Sequence, residues 1–408
     1  MDRISGLPEE LLVKILWFVP TKVAVSTSVL SKRWESIWKW VPKLELVDIW
    51  PELAVRDFMN KNLPLLRAPA IESFRFHTFS SLCTPEDIHK WLGDVVSSSI
   101  RELDLKYYAG EPAVLFPSSL YTSQTLETLK LDGCRILVDV PRTVSLPSLK
   151  TLLLGGVTYA NEDTLRLLIS YCPVLEDLTI ELSASGDDNL KAIVVISPSL
   201  QRLTDGGSYS TSEYVIVTPS LKYFKVENYA VGFSYLVAHM PKVEDADIVV
   251  NEHLEEPFEL ITSVKRLSLC VLYNCGEEVN LICITMVLSS IIFNNLQHLK
   301  LCIRFDYWSK LLFRLLQDSP NLRVLSLHVD VERRFKEYET ISWNENESSV
   351  PSCLLESLET FEFAEYRGSQ EERDFVSFIV KNARRLKSSS ITPCTREVTC
   401  SSSEGSND

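Results

Sequence analysis

The sequence predicts an α/β protein in which a small three-helix unit precedes an irregular solenoid with a parallel sheet on its concave side. Three observations lead to this prediction. A short apolar pattern recurs about a dozen times beyond residue 70. The first forty-odd residues contain three short amphipathic segments. Finally, 45% of the 408 residues are hydrophobic, which allows the chain to bury a large core.

The recurring pattern has three apolar residues, with two variable residues after the first and one after the second. Copies between residues 126 and 264 begin 21 to 26 residues apart, which is the period of leucine-rich repeats. Each copy predicts a short strand whose apolar side chains point inward while the alternating residues point outward. One copy, starting at Leu200, is expected to be broken by Asp205. The other copies begin at Ile71, Ile100, Leu126, Leu149, Leu175, Leu221, Val243, Val264, Leu296, Leu322 and Leu358.

Helices are expected to back these strands. Thr84 before Pro85 can cap one helix, Asn161 a second, and Ser309–Ser319 predicts a third. The glycine pairs at 155–156 and 206–207 are expected to mark turns at strand ends. Because one repeat cannot bury its own apolar face, we expect residues 46–340 to stack into a single solenoid.

Residues 1–45 predict three short helices: one opened by Pro8, one by Thr21, and one capped by Ser31 and containing Trp34, Ile37 and Trp38. A bundle of about forty residues is too small for a self-sufficient core. Its Leu, Ile and Trp side chains lie on several faces, so we expect the bundle to be completed by another polypeptide.

This stretch resembles the F-box. The pattern Leu-Pro-x-x-Leu-Leu-x-x-Ile-Leu from Leu7, the second proline and the segment Val-Leu-Ser-Lys-Arg-Trp occur in the family's order and spacing. The resemblance implies binding to a Skp-family adaptor and, through it, to cullin and RING subunits. Val23 stands where plant members commonly have Asp, and a helix-end charge is worth only about 0.3 to 1 kcal/mol. The adaptor-binding residues carried over are Leu7, Pro8, Leu11, Leu12, Ile15, Leu16, Pro20, Leu30, Ser31, Lys32 and Trp34.

Residues 341–390 resemble the plant FBD module, through Trp343-Asn344, Ser349–Leu355, Lys381–Arg384 and Leu386-Lys387. They predict a strand over Leu358–Phe363 and a helix that caps the solenoid. That helix carries on one face Phe375, Phe378, Ile379, Ala383 and Leu386. Serine, threonine and glycine dominate from Ser388 onward, so residues 391–408 are expected to be a disordered tail.

The resemblance to plant F-box, leucine-rich-repeat and FBD proteins implies a substrate-recognition subunit of an SCF-type ubiquitin ligase that has no catalytic activity or cofactor of its own. The outward strand positions are then the candidates for binding a protein substrate. Acidic residues are frequent among them, which suggests a substrate with a basic segment. These positions are Glu102, Asp104, Lys106, Thr128, Lys130, Asp132, Asp177, Thr179, Glu181, Tyr223, Lys225, Glu227, Asp245, Asp247, Arg266, His298, Lys300 and His328.

Two alternatives remain open at this point: a repeat scaffold that binds partners without promoting degradation, and an F-box receptor completed by a small ligand. An enzyme is disfavoured, because the sequence has no phosphate-binding glycine loop, nucleophile elbow or His-Glu-x-x-His motif. Cys270, Cys275, Cys283 and Cys302 lack the Cys-x2-Cys spacing of zinc sites and are interpreted as ordinary thiols.

Charge and cysteine usage narrow the partners and the compartment. Residues 1–45 carry a net charge of +2 within a chain of net charge −14, which disfavours nucleic-acid binding. No apolar run is long enough for a membrane span, so no membrane partner is expected. Ten scattered cysteines and the lack of an export signal favour the nucleus, the cytoplasm or both.

Overall fold

The computed structural model describes residues 4, 6–47, 52–79, 82–96, 99–108, 111–182, 190, 192–208, 213–228, 235–237, 240–250, 262–271, 292–303, 308–329, 343 and 350–394. The chain divides into two compact units, Met1–Val243 and Glu244–Asp408. Within the described ranges, no helix is both long and apolar enough to cross a bilayer.

The first unit begins with two α-helices, α1 (Glu9–Trp17) and α2 (Thr21–Ser26). Pro8 and Pro20 precede them as N-cap residues with extended backbone, as predicted for the helix starts. The third predicted helix is present as a short 3-10 helix, Ile37–Trp40, but Ser31 does not cap it and Trp34 lies in the turns that precede it. The bulky aromatic and β-branched side chains of this segment lose conformational freedom in an α-helix. Their burial against α1 and α2 therefore determines the backbone conformation instead.

The rest of the first unit is built from short parallel strands. Eight of those described lie side by side as a main sheet in the order β1-β2-β3-β5-β7-β9-β11-β13. The strands are β1 (Lys43–Leu46), β2 (Ser73–Thr78), β3 (Glu102–Tyr107), β4 (Val114–Leu115), β5 (Thr128–Asp132), β6 (Ile136–Val138), β7 (Thr151–Gly155), β8 (Thr158–Tyr159), β9 (Asp177–Glu181), β10 (Ala192–Ile196), β11 (Arg202–Ser208), β12 (Glu213–Val217), β13 (Tyr223–Asn228) and β14 (Tyr235–Val237).

The inward and outward alternation of the repeat strands is confirmed. Leu129 and Leu131 on β5 are fully buried, and they pair in register with Leu152 and Leu154 on β7, which are also fully buried. These two repeats therefore each contribute two inward leucines to one continuous layer of the core. Burying each leucine stabilises the unit by roughly 1.5 to 3 kcal/mol relative to exposure.

Helices cover only part of this core, although the sequence predicted them behind the strands in general. The helices are α3 (Glu52–Asn62), α4 (Pro85–Val96) and α5 (Thr164–Ser170). The remaining connections form two small parallel sheets, β4-β6-β8 and β10-β12-β14. Runs of β-branched residues such as Val194-Val195-Ile196 explain the difference, because these residues favour strands over helices.

Two local predictions about helix starts have opposite outcomes. Thr84 caps α4 as predicted: the Asp87 amide donates to its hydroxyl, and the Thr84 amide donates to the Asp87 carboxylate at 3.2 Å. Asn161 does not cap α5, because that helix begins at Thr164 with Asp163 at the N-cap. The Asn161 side chain instead accepts a hydrogen bond from the Asp163 amide within the preceding turn.

Asp205 does not end its strand, contrary to the prediction. β11 runs through it, and Asp205 pairs with Ile180 on β9 and Val226 on β13 at a position that is inward and buried. Gly206 likewise lies within the strand rather than at a turn, whereas Gly155 is the last residue of β7, as expected. Backbone pairing on both sides holds β11 in place whatever its side chains are.

The second unit continues the same design. Its strands β15 (Asp245–Val250), β16 (Arg266–Val271), β17 (His298–Ile303), β18 (Val324–Val329), β19 (Thr360–Tyr366) and β20 (Ser388–Pro393) pair in that order, all parallel. Its described helices are α6 (Trp308–Gln317), which confirms the helix predicted there, α7 (Ser352–Glu356) and α8 (Gln370–Asn382).

An aromatic cluster holds α8 against the end of this sheet. Trp343 lies 4.9 Å from Phe375 and 5.3 Å from Phe378, measured between ring centroids. Phe375 also contacts Phe361 of β19 edge-on at 5.8 Å. The face predicted for this helix is confirmed for Phe375, Phe378, Ile379 and Ala383, which are all buried. It is wrong for Leu386, which lies beyond the end of the helix and is half-buried.

The predicted start of the disordered tail at residue 391 is wrong. Ser388–Pro393 is the edge strand β20, whose Ile391 pairs with Phe363 of β19. All six of its side chains are exposed, so backbone hydrogen bonds rather than burial hold the strand. Residues 395–408 lie outside the described residues.

Candidate functional site

Exposed apolar side chains concentrate in the N-terminal helical region. Among the described residues, eight of the nineteen large exposed apolar side chains belong to the first forty positions. Phe18 is 84% exposed, Val29 is 88% exposed and Leu30 is 64% exposed, while Leu11 and Ile15 lie one turn apart on α1. Exposed apolar side chains concentrated on a small helical bundle are typical of surfaces that bind another molecule.

The structure divides the predicted adaptor-binding residues into two groups. Leu12, Leu16 and Trp34 are buried in the bundle's own core, together with Trp38, and so are assigned to internal packing. Leu7 is partly buried against the same core. The exposed members are Pro8, Leu11, Ile15, Pro20, Leu30, Ser31 and Lys32. Their contact with an adaptor stays a prediction.

The helical bundle is joined to the first repeat strands by several contacts. The Glu45 amide of β1 donates to the Thr21 hydroxyl of α2 at 2.8 Å, and Lys43 reaches the Trp17 carbonyl at 3.4 Å. The Arg33 guanidinium donates to the Leu7 carbonyl, which ties the two ends of the bundle together. Because β1 also pairs with β2, the exposed apolar surface has a fixed position on the sheet.

The outward side chains of the main sheet form what we call the open face of each unit. On the first unit most predicted substrate residues already have a partner on the same face, in several cases a residue that was not predicted. The Arg75 guanidinium lies 3.3 Å from Glu45, 3.2 Å from Glu102 and 3.1 Å from Asp104. His77 completes this cluster, 2.9 Å from Asp104.

Asp104 is the most buried charge of that cluster. Burial alone would raise its pKa, but the hydrogen bond from His77 and the charges of Arg75 and Lys130 bring the pKa below its ordinary value. Asp104 is therefore a structural carboxylate that holds β2 and β3 together. Charged pairs of this sort are fixed before any partner arrives.

Other charges on this face are neutralised in the same way. Lys106 lies 2.9 Å from Asp132, and Lys225 lies 2.7 Å from Glu227. Arg202 lies 3.5 Å from Asp177 and stacks over the Tyr223 ring at 4.3 Å. The acidic excess expected from the sequence is thus largely balanced by basic neighbours.

Glu181 differs from these residues because both of its register partners are glycines. On β9 it faces Gly155 of β7 on one side and Gly206 of β11 on the other. Its side chain leans over Gly206, where an added Cβ would lie 2.8 Å from the Glu181 Cγ. Burial raises the pKa of Glu181, and the negative charge of Asp132 raises it further.

On the second unit the open face carries charges of both signs. Arg266 lies 2.6 Å from Asp245. His298 and Lys300 on β17 are both exposed, and no described residue forms an ion pair with them. Asp247 and His328 are half-exposed on the same face. The predicted residues on this unit are thus accessible, and their binding to a substrate stays a prediction.

The sequence did not indicate the roles of three residues on the open face. Arg75 pairs with Glu45, Glu102 and Asp104. Gly155 and Gly206 flank Glu181 on the neighbouring strands. Among the residues described, no group of three or more His, Cys, Asp or Glu side chains is placed to hold a metal ion. Of the four cysteines considered for a metal site, Cys275 and Cys283 lie outside the described residues.

Comparison with known families matches three parts of the chain. The F-box domain matches residues 4–46, and the FBD matches residues 345–391. The family described as FBD-associated F-box protein At5g56370, LRR repeats, matches residues 88–244. These spans contain the helical bundle, most of the strands of the first unit and the final strands of the second.

Full-length relatives agree with these matches. The FBD-associated F-box protein At5g60610 of Arabidopsis thaliana is 54% identical over 96% of this chain and 100% of its own length. The putative FBD-associated F-box protein At5g56700 is also 54% identical, over 96% of this chain and 98% of its length. A putative F-box/FBD/LRR-repeat protein, At5g62970, is 41% identical over 96% of this chain. The chain therefore belongs to the FBD-associated F-box protein family.

Proposed function

We propose that this protein is the substrate-recognition subunit of an SCF-type ubiquitin ligase. F-box domains generally bind Skp-family adaptors, and proteins of this family are typically adaptors rather than enzymes. The observation that carries the proposal is the exposed apolar surface of the F-box, including Leu11, Ile15 and Leu30. An adaptor that covers this surface would connect the chain to cullin and RING subunits.

Such a receptor needs no catalytic group of its own. It holds a substrate close to a conjugating enzyme that another subunit recruits, and so raises the effective concentration of the substrate lysines. A fixed attachment helps this role. The contacts of Thr21 with Glu45 and of Lys43 with Trp17 hold the F-box against the first strands.

The adaptor contact is tested by co-purification with a recombinant Skp-family adaptor. The double variant Ile15→Ser/Leu30→Ser removes two exposed apolar side chains and leaves the core residues Leu12 and Leu16 intact. We expect the adaptor to be lost from the complex. The control is Val380→Ser on α8, where a side chain of similar exposure, 64%, lies outside the F-box.

Equal recovery of the adaptor with the wild-type protein and the double variant would contradict the proposal. A complex that contains the adaptor but never cullin would favour the second candidate, a scaffold that does not promote degradation. Both outcomes are readable in one experiment, by blotting the purified complex for adaptor and cullin. We place the complex in the nucleus and cytoplasm, to be checked by imaging a fluorescent fusion.

We further propose that the substrate presents a basic side chain to Glu181. Asp132 and Glu227 each have a lysine within 3 Å, whereas neither of the two glycines that flank Glu181 can provide a basic side chain. An arginine or lysine from the substrate would supply this missing partner and relieve the repulsion between Glu181 and Asp132.

Substrates are to be collected by proximity labelling with the Ile15→Ser/Leu30→Ser variant, which should accumulate them instead of degrading them. Each recovered protein is then tested for binding to the Glu181→Lys variant. We expect binding to fall at least tenfold, while Glu362→Lys, an exposed acid on the open face of the second unit, changes it little. Binders that are mostly acidic, or that bind both variants equally, would refute the basic-segment proposal.

A further inference from the structure

Two cysteines lie side by side on the open face of the second unit. Cys270 of β16 and Cys302 of β17 are register partners on adjacent parallel strands. Both are half-exposed, and they alternate with the buried Leu269 and Leu301, so their side chains leave the sheet on the same side. His328 of β18 is the next residue in the same row.

The spacing of the two strands is compatible with a disulfide. Neighbouring strands lie about 4.8 Å apart, and the Cα atoms of disulfide-bonded cysteines are typically about 4.4 to 6.8 Å apart. Closing the bond therefore needs rotation of two side chains and only a small shift of the backbone. A cross-strand bond that departs from ideal Cβ separation is strained, and strained exposed disulfides are the readily reduced ones.

A lysine and a histidine lie near the pair on the same face. Lys300 lies two residues before Cys302 on the same exposed side of β17, and the imidazole of His328 follows it in the row. Cysteines react with oxidants when they are partly exposed in cationic surroundings. Two other thiols are built differently: burial raises the pKa of both Cys172 and Cys353 to about 12.

We propose that Cys270 and Cys302 are a site of reversible oxidation by hydrogen peroxide. The Cys302 thiolate attacks one peroxide oxygen, the O–O bond breaks, and a sulfenic acid and one water are formed after proton transfer. The Cys270 sulfur then attacks the Cys302 sulfur and expels the second water. Two thiols lose two protons and two electrons, and one peroxide becomes two water molecules.

This inference does not depend on the proposed ligase function. Its consequence would be structural: a bond between β16 and β17 joins two repeats on the face that also carries Lys300. A substrate or partner that contacts this row would meet a disulfide in place of two thiols.

The test uses the full chain treated with a few equivalents of hydrogen peroxide, then alkylated, digested and analysed by mass spectrometry. We expect a peptide linked through Cys270 and Cys302 that dithiothreitol separates. The buried Cys172 and Cys353 should react with the alkylating agent only after unfolding, and the exposed Cys134 provides a matched single thiol. In the Cys270→Ser variant, Cys302 should stop at a sulfenic acid that dimedone traps.

Three outcomes would overturn the inference: no linked peptide, a link from Cys270 to another cysteine such as Cys275, or oxidation of Cys302 no faster than that of Cys134. Circular dichroism of the Cys270→Ser variant checks that it folds. Cys134→Ser should leave the linked peptide unchanged. The test detects a covalent link, so its result does not depend on adaptor or substrate binding.

Discussion

Replacing Asp205 by leucine should stabilise the first unit, and should do so more at high pH than at low pH. Asp205 occupies the third inward position of its repeat, between Ile180 and Val226 on the neighbouring strands, and is only 5% exposed. Neither carboxylate oxygen has a hydrogen-bond partner of normal geometry among the described residues. Leucine at this position would match the side chains beside it.

The size of the effect follows from the pKa of Asp205. Burial raises this pKa to about 7, the Tyr214 side chain lowers it too weakly to compensate, and the charge of Glu227 raises it. In the unfolded chain the carboxyl ionises near pH 4, so between pH 4 and 7 the folded state binds more protons. The free energy of unfolding therefore falls as pH rises through this range. At about 1.4 kcal/mol per pKa unit, the fall is about 4 kcal/mol in total, of which about 3 kcal/mol lies between pH 5 and 8.

The assay is urea unfolding of the full chain at pH 5 and pH 8, with hydrogen exchange of the β9, β11 and β13 amides to locate the change. The free energy of unfolding of the Asp205→Leu variant should exceed that of the wild type by about 2 to 4 kcal/mol at pH 8 and by less at pH 5. Asp205→Asn is the matched control, because it removes the titration but keeps a buried polar group. A leucine variant that is less stable at pH 8, or that keeps the wild-type pH dependence, would refute the reasoning.

Four further changes test the fold by thermal or urea unfolding. Gly133→Ala should destabilise the first unit by more than about 2 kcal/mol, because its φ is +146° and a Cβ would lie 1.9 Å from the Tyr107 carbonyl oxygen. Gly93→Ala, inside α4 with open space around it, should instead stabilise by about 0.5 to 1 kcal/mol, and equal effects of both would contradict the geometry. Ser369→Ala removes the capping box of α8 and should lower the free energy of unfolding by about 1 kcal/mol, whereas Ser369→Asp should retain most of that stability. Phe375→Ala should cost the second unit about 3 to 5 kcal/mol, and a loss below 1 kcal/mol would show that the aromatic cluster does not hold α8.

The strands of the main sheet were predictable because each repeat carries the same local pattern of inward leucines. Leu129-x-Leu131 on β5 is an example: two buried side chains around one outward residue are enough to define a strand. Asp205 was misjudged for the same reason. The local pattern predicts that a charged residue interrupts the strand. The strand forms nevertheless, because it pairs with β9 and β13, where the partners of Asp205 lie 25 residues earlier and 21 residues later in the chain.

The second wall of the core and the end of the chain were harder to predict. The connection containing Val194-Val195-Ile196 is too β-branched for a helix, but its sequence does not indicate a small parallel sheet with β12. The polar segment Ser388–Pro393 has a composition typical of disorder, and only the free edge of β19 makes it a strand. In both cases the deciding partner is remote in sequence.

The environment of the residues on the open face is also set by partners that are remote in sequence. For these residues, however, the repeat pattern indicates which partners will be adjacent. Aligning the copies by their third inward residue places Asp132, Gly155, Glu181 and Gly206 at the same repeat position, and the structure confirms that they are register neighbours. In the second unit the same repeat position holds Cys270, Cys302 and His328. A residue there is therefore defined by its counterparts in the adjacent copies, not by its chain neighbours. Glu181 differs from the other acids of the first unit because both counterparts are glycine, and Cys270 and Cys302 are a pair because each is the counterpart of the other.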